Sequence, residues 1–433
     1  MKFQKEYHIH PCHKERRTIF QNTMEEKSIA ILFSQTPKQY SHDIDYRFRQ
    51  DSDFFYLSGF EEESSILVIT KNEVRMYLRP IDAEKETWFG LMMGVERAPA
   101  ELSVDAAFPV LEFWNHLPDL LKGKDLLYYF YGKNPEYDSK IFKTASTLFM
   151  RSRKGEIGPS KLVHLASILH PMRMIKSTYE IELMKHSIVA THNAHVALMK
   201  QSRPGMYEYQ LDAIIHHEFR KENATEAYPS IVAGGPNATI LHYTENNRLL
   251  QKEDLVLVDA GAEKNYMTSD VTRTFPVSGK FTSEQKELYQ AVLDSQKYAI
   301  SLVKAGNTVM GIHLLTARKL AESMIHLKLL KGSVDSLIEE GTYTKFYMHK
   351  SGHYLGIDVH DVGPYFHEED AIPLKPGMVI TVEPGLYISP AEETAPVHFR
   401  GIGIRIEDDI LVTQNEPENL TASIPKEIKE IER

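Results

Sequence analysis

Five side chains in about the last 175 residues could act together on a polarised bond: Asp259, Asp270, His353, Glu383 and Glu407. Each lies in a strand-like or glycine-flanked segment, where a lone ionisable group is expensive to bury. Four carboxylates meeting without compensation would repel one another and could not all stay ionised. Two divalent cations would remove that cost, and oxygen donors with one imidazole suit hydrolytic two-metal chemistry. Taken singly, Asp259 at its Ala260-Gly261 turn and Asp270 read as structural carboxylates; as a pair joined by a hairpin-length loop they could chelate one centre.

The elements that would carry these groups can be read from hydrophobic pattern. Leu255-Val256-Leu257-Val258 and Met378-Val379-Ile380-Thr381-Val382 are apolar runs that end in Asp259 and Glu383, as buried strands with charged termini. In 268–275, strand alternation would set Asp270, Thr272 and Thr274 on one face. In 401–407, Ile402, Ile404 and Ile406 share one face, while Gly401, Gly403, Arg405 and Glu407 share the other. There the glycines would leave open space, and Arg405 would hold a neighbouring carboxylate. That Gly-x-Gly lacks the helix-opening third glycine of a dinucleotide site. His349, His353 and His360 fall within one glycine-spaced stretch, enough for one ligand and two groups that hydrogen-bond a substrate.

The same order of elements occurs twice. Ser177 with Glu180, and Thr282 with Gln285, form capping boxes. Behind the first, Ile181, Met184, Ile188, Thr191, His195 and Leu198 trace a helical stripe that stops at Arg203-Pro204-Gly205; behind the second, Tyr289, Val292, Ala299 and Val303 stop at Lys304-Ala305-Gly306. A second helix follows in each pass (207–219 and 309–320), then a His-bearing stretch, then an apolar strand ending in an acid. This is a degenerate duplication, with each half expected to give two carboxylates to a shared site. Ahead of it, 29–33, 66–69 and 126–130 read as buried strands with helices between them. The expected division is an α/β domain over 1–172 and a catalytic domain over 173–433, parted near His170-Pro171-Met172.

The 433 residues carry a formal charge of −10, which disfavours sequence-independent nucleic-acid binding. The basic runs His13-Lys14-Glu15-Arg16-Arg17 and Arg151-Ser152-Arg153-Lys154 read as solvated faces. Cys12 is the sole cysteine, Met1-Lys2-Phe3-Gln4 opens no apolar signal region, and no run approaches a membrane span. A cytoplasmic protein is expected, with no membrane partner.

Several stretches together resemble the pita-bread metallopeptidases, and within them the bacterial Xaa-Pro aminopeptidases (aminopeptidase P, family M24B). They are Ile240-Leu241-His242-Tyr243-Thr244-Glu245-Asn246, Leu257 to Gly261, Asp270 to Pro276, Gly352-His353 through Asp361-Val362-Gly363, Thr381 to Tyr387, and Arg400 to Asp409. In the first domain, Arg49 to Phe60 also matches. The resemblance implies an α/β domain followed by an α+β pita-bread catalytic domain with an internal pseudo-twofold repeat. It implies two metal ions, usually Mn2+ (Co2+, Zn2+ and Fe2+ also suit the donors), sharing a hydroxide that attacks the scissile carbonyl. Asp259 would bind one ion and His353 the other, with Asp270, Glu383 and Glu407 completing or bridging the pair. Glu383 would take and return the proton; His242, His349 and His360 would position substrate; Tyr387 and Arg405 would support them. The implied substrates are peptides with proline second, whose tertiary amide lacks an N–H and whose ring fixes the backbone. Family members are often tetramers or dimers, and Trp88 resembles a residue lent to a neighbouring subunit's active site. Alternatives are a prolidase cutting Xaa-Pro dipeptides, a methionine aminopeptidase, and a non-catalytic pita-bread binding scaffold.

Overall fold

A computed structural model describes residues 9–432, so the opening Met1 to Gln4 lies outside the described residues, as does the side chain of Lys154. The chain separates into two compact units between Pro171 and Met172.

The first unit is built on a six-stranded mixed sheet in the order Ala106–Pro109, Val74–Leu78, Ile66–Thr70, Ser28–Phe33, Leu126–Tyr129, Lys161–His164. Ser28–Phe33 pairs antiparallel with Ile66–Thr70 and parallel with Leu126–Tyr129. Ile29, Ile31, Ile66, Val68 and Leu127 turn one face toward helices Phe113–Leu121 and Pro135–Met150, where Phe113, Leu117, Ile141 and Leu148 close the core. Alternate residues such as Ala30, Leu32, Leu67 and Ile69 are also buried, so the strands read as continuous apolar runs.

The first basic run departs from the sequence expectation. It lies in helix Cys12–Thr23, where His13, Arg16, Arg17 and Phe20 form one buried stripe. Arg17 donates to the carbonyls of Leu57 (2.7 Å), Leu102 (2.6 Å) and Ser103 (2.9 Å), capping the ends of helices Ser52–Ser58 and Gly94–Leu102, whose last carbonyls lack partners within the helix. Arg16 lies over the Tyr56 ring at 4.0 Å. These cations bury because the backbone supplies acceptors. Arg151 and Arg153, in the second run, are exposed.

The second unit repeats one arrangement twice. Helices Thr178–Gln201 and Ser283–Ser301 both start at the capping boxes read from sequence, and second helices follow at Glu208–Lys221 and Val309–His326. Just before these, Tyr207 bridges to Leu249 and Thr308 to Pro373. Gly205 and Gly306 donate to the carbonyls of Leu250 and Leu374, both at 2.9 Å. Each bridge precedes its strand by the same offset (249 before 255, 373 before 379), so Asp259 and Glu383 occupy equivalent positions. The strands are Leu255–Asp259, between Ile231–Gly234 and Thr272–Pro276, and Val379–Val382, paired with Asp408–Leu411. Gly385–Ile388 and Ile402–Arg405 form a further antiparallel pair.

The halves are joined by charge as well as packing. Arg273 and Asp408, opposite Val258 and Val382 in their sheets, pair at 2.7 Å with both side chains fully buried. Arg273 also donates to the carbonyls of Glu407 (2.6 Å), Ile424 (3.0 Å) and Pro425 (3.0 Å), and Lys426 gives Asp408 a second cation. Buried charges persist only when paired and hydrogen-bonded, and this cluster meets both conditions.

Candidate metal centre

All five acid and histidine candidates line one cavity of about 730 Å³, together with His242, His349, His360 and Arg405. Ligand atoms of Asp270, His353 and Glu407 come within 4.8 Å of one another. Glu383 Oε1 lies 3.6 Å from His353 Nε2, and Asp270 Oδ2 lies 3.3 Å from the same nitrogen. Asp259 is set apart from that trio and reaches Asp270 through Tyr228, whose hydroxyl lies 2.6 Å from Asp259 Oδ1 and in short contact with Asp270 Oδ1.

Local structure explains each placement. Asp259 closes its strand opposite Thr272. Glu383 follows Val382 directly, and its amide donates to the Ser351 carbonyl at 2.9 Å. His353 is fixed by Thr381: its amide donates to Thr381 Oγ1 (3.0 Å), and Thr381 N donates to the His353 carbonyl (2.9 Å). Gly352 permits that approach, since a Cβ there would lie 2.0 Å from the Thr381 carbonyl oxygen. The His353 Nδ1 faces the Tyr354 carbonyl at 3.0 Å and therefore carries the hydrogen, which leaves Nε2 toward the carboxylates.

One arginine and two hydroxyls organise the acids. Arg405 donates to Asp259 Oδ2 (2.6 Å), Thr272 Oγ1 (3.0 Å) and the Tyr387 hydroxyl (3.0 Å). Thr272 passes its own hydrogen to Glu407 Oε2 at 2.7 Å. So Arg405 holds a carboxylate as the sequence implied, but the space over Gly403 is not open. A Cβ on Gly403 would lie 2.0 Å from the Ala238 carbonyl oxygen, so the gap is filled by backbone of the turn Gly235–Thr239.

His349 has both ring nitrogens engaged within the protein. Nδ1 lies 2.8 Å from the Lys350 carbonyl, and Nε2 lies 2.8 Å from the Tyr387 hydroxyl. His349 also lines the cavity, so it can orient Tyr387 and face a substrate there. His360 packs edge-on to His353 at 4.4 Å between ring centres and is exposed toward the cavity, as is His242. Trp88 belongs to the first unit, at the end of helix Ala83–Phe89, where it is 77 % exposed.

Two participants escaped sequence reasoning. Tyr228 carries no local pattern that marks it. Asp409 is fully buried, accepts from the Asp270 amide at 3.2 Å, and its Oδ1 has no hydrogen-bond partner among the described residues. Its place directly after Glu407-Asp408 was a usable signal.

The electrostatics show a shortage of positive charge. Burial, then Asp270, Glu383 and Asp259, push Glu407 well above the usual carboxylate range. Burial raises Asp270 despite its bond to His353, and it pushes Glu383 up to about 7 against the pull of His353 and Arg405. Burial opposes charge on His353, yet its bond to Asp270 and the charge of Glu383 outweigh it, and His353 rises to about 9. Burial, then Arg405, lowers His349 to about 3, which keeps it neutral. The Tyr228 hydroxyl has one hydrogen for two carboxylates, so the second close oxygen needs another proton or a cation.

Comparison with known proteins agrees with this geometry. Residues 182–414 match the model of "Metallopeptidase family M24", and residues 13–128 match "Aminopeptidase P, N-terminal domain". The chain is 44 % identical to the Xaa-Pro aminopeptidase of Haemophilus influenzae and 40 % identical to that of Escherichia coli, in each case over 97 % of this chain and 96 % of the relative. Among solved structures, Pseudomonas aeruginosa aminopeptidase PepP superposes with a TM-score of 0.94 at 40 % identity. Zn-substituted E. coli aminopeptidase P in complex with product gives 0.93 at 40 %; both alignments cover 97 % of this chain and 96 % of the other. The chain belongs to metallopeptidase family M24, in its Xaa-Pro aminopeptidase branch, with the pita-bread fold.

Proposed function

We propose that this enzyme is a divalent-metal aminopeptidase that releases the first residue of peptides carrying proline second. The observation that carries the reading is the buried donor set of four carboxylates and one imidazole, short of positive charge, on the wall of a substrate-sized cavity. Asp259, Asp270, His353, Glu383 and Glu407 would hold the cations. Their number of oxygens and spread about Tyr228 favour two ions, and four oxygens with one nitrogen suit Mn2+ as well as Co2+, Zn2+ or Fe2+. Bound there, divalent ions would supply Lewis acidity, acidifying water and polarising a peptide carbonyl.

The remaining residues act around that centre. Glu383, bonded by Thr381 Oγ1 at 3.3 Å and 3.6 Å from His353 Nε2, would take a proton and return it to the leaving proline nitrogen. Arg405 and neutral His349 hold the Tyr387 hydroxyl between them, a fixed dipole beside the acids. His242 and His360 would bind the peptide, and the aromatic side chains of Tyr365 and Phe366 offer an apolar surface for a proline ring. The first unit would restrict access to free N-termini and make subunit contacts. Exposed Trp88 and Phe89 (77 % and 84 %) would meet a neighbouring copy in a dimer or tetramer. No helix among the described residues is long and apolar enough to cross a membrane. Similarity to bacterial Xaa-Pro aminopeptidases supports a place in the cytoplasm.

The test is metal-stripped protein reloaded with Mn2+, Co2+ or Zn2+ and assayed on three substrates. An Xaa-Pro-Yaa peptide should be cut, an Xaa-Pro dipeptide poorly, and a proline-free peptide barely. Preference for the dipeptide would make it a prolidase; equal rates with and without proline would refute the substrate; no hydrolysis with any metal would leave a binding scaffold.

A further inference from the structure

His242 sits on a connection that has no regular structure between the turn Gly235–Thr239 and the strand Leu255–Asp259. A loop of this kind would ordinarily leave its side chains mobile, yet this one is tied down at alternate places. Leu241, His242 and Thr244 line the cavity, while Tyr243, Asn246 and Arg248 face the protein. The Asn246 side chain accepts from Val232 N (2.9 Å) and donates to the Ser230 carbonyl (2.9 Å), standing in for a neighbour along the strand Ile231–Gly234.

The other two tethers converge on Glu208, the fully buried first residue of helix Glu208–Lys221. Its Oε1 accepts from Gly234 N (2.7 Å) and Asn237 Nδ2 (3.1 Å). Its Oε2 accepts from Arg248 N (2.8 Å) and the Tyr243 hydroxyl (2.8 Å). Its four donors, Gly234 at the strand end, Asn237 in the turn, and Tyr243 and Arg248 in the loop, fill its acceptor sites, so the carboxylate ties the loop to the strand and turn before it and, through Tyr243, fixes the residue beside His242. The Tyr243 ring packs in the same apolar cluster as Tyr387, which ties the loop to the far side of the centre.

We infer that Glu208, acting through the Tyr243 hydroxyl, is a positioning residue that sets the His242 imidazole for the reaction. The inference rests on the assignment of His242 to the substrate. Small misplacement of a group near the reacting atoms can cost up to about a hundredfold in rate.

The experiment is a double-mutant cycle on the metal-loaded full chain, using Tyr243→Phe and His242→Ala, with kcat, KM and bound metal measured for an Xaa-Pro-Yaa peptide. Tyr243→Phe keeps the ring in its cluster and removes the hydroxyl, with its bond to Glu208 and its longer contacts to Asn247. It should lower kcat roughly tenfold with metal content unchanged, and by less than about twofold when His242 is already Ala. Glu208→Gln should follow the same pattern, and where it folds poorly the tyrosine cycle decides. A full multiplicative loss in both backgrounds, or a Tyr243→Phe enzyme as fast as the parent, overturns the inference alone. A His242→Ala enzyme with parental rate removes the substrate role of His242 itself, and the inference with it.

Discussion

Replacing Glu383 by Gln should stabilise the metal-free protein and abolish the activity of the metal-loaded enzyme. In the folded chain burial and neighbouring carboxylates raise Glu383 from 4.5 to about 7. A tenfold change in proton affinity corresponds to about 1.36 kcal/mol, so the ionised side chain costs about 3 kcal/mol of stability. The folded pKa exceeds the unfolded one, so the native state binds the extra proton, and stability falls as pH rises from about 4.5 to about 7. Above that window the whole penalty is present; below it none is. Glutamine has the same shape and no charge, so Glu383→Gln should escape the penalty. In chelator at pH 8.5 the variant should unfold later than the parent by about 3 kcal/mol, roughly 2–4 °C per kcal/mol for a unit of this size. At pH 4 the two should coincide. Saturating Mn2+ should reverse the order at pH 8.5, because the parent gains binding energy that the variant has largely lost. Thermal and urea unfolding, followed with and without chelator at both pH values, measures all three comparisons. A parent as stable as the variant in chelator at pH 8.5 would refute the idea that repelling carboxylates are held in wait for cations.

Other perturbations test other joints. Glu407→Ala should lose bound metal and activity together, as read by metal content and peptide hydrolysis, because Glu407 belongs to the closest donor trio. Arg273→Met leaves Asp408 with one of its two cations, Lys426, and strips several carbonyls of their donor, so urea unfolding should show a loss of about 3–5 kcal/mol. Trp88→Ala should shift sedimentation toward smaller species and depress activity at low protein concentration, while the second unit's stability stays unchanged.

Much of the site was legible because its signals are local. An apolar strand that ends in an acid announces itself, and Asp259 and Glu383 both do so. Both capping boxes form as read from Ser177 and Thr282. What escaped depends on residues far apart in sequence. Nothing near Tyr228 says that its hydroxyl meets Asp270, and nothing near Glu208 says that a loop will gather on it. Gly403 signalled a missing side chain but not what fills the gap, which is a backbone turn from the other half. The run from His13 to Arg17 was misread because charge was weighed alone. Spacing at 13, 16, 17 and 20 already marked an inward stripe, and the acceptors that make it tolerable lie at Leu57 and Leu102.

The guanidinium of Arg273 crosses from one repeat to grip the carboxylate and main chain of the other. Made separately, the first repeat would bury Arg273 without its carboxylate, and the second would keep only Lys426 as a cation for Asp408. A polypeptide nicked in the connecting turn near Gly279 should therefore recover a competent centre only when the two fragments are refolded together, and each alone should precipitate or remain unstructured.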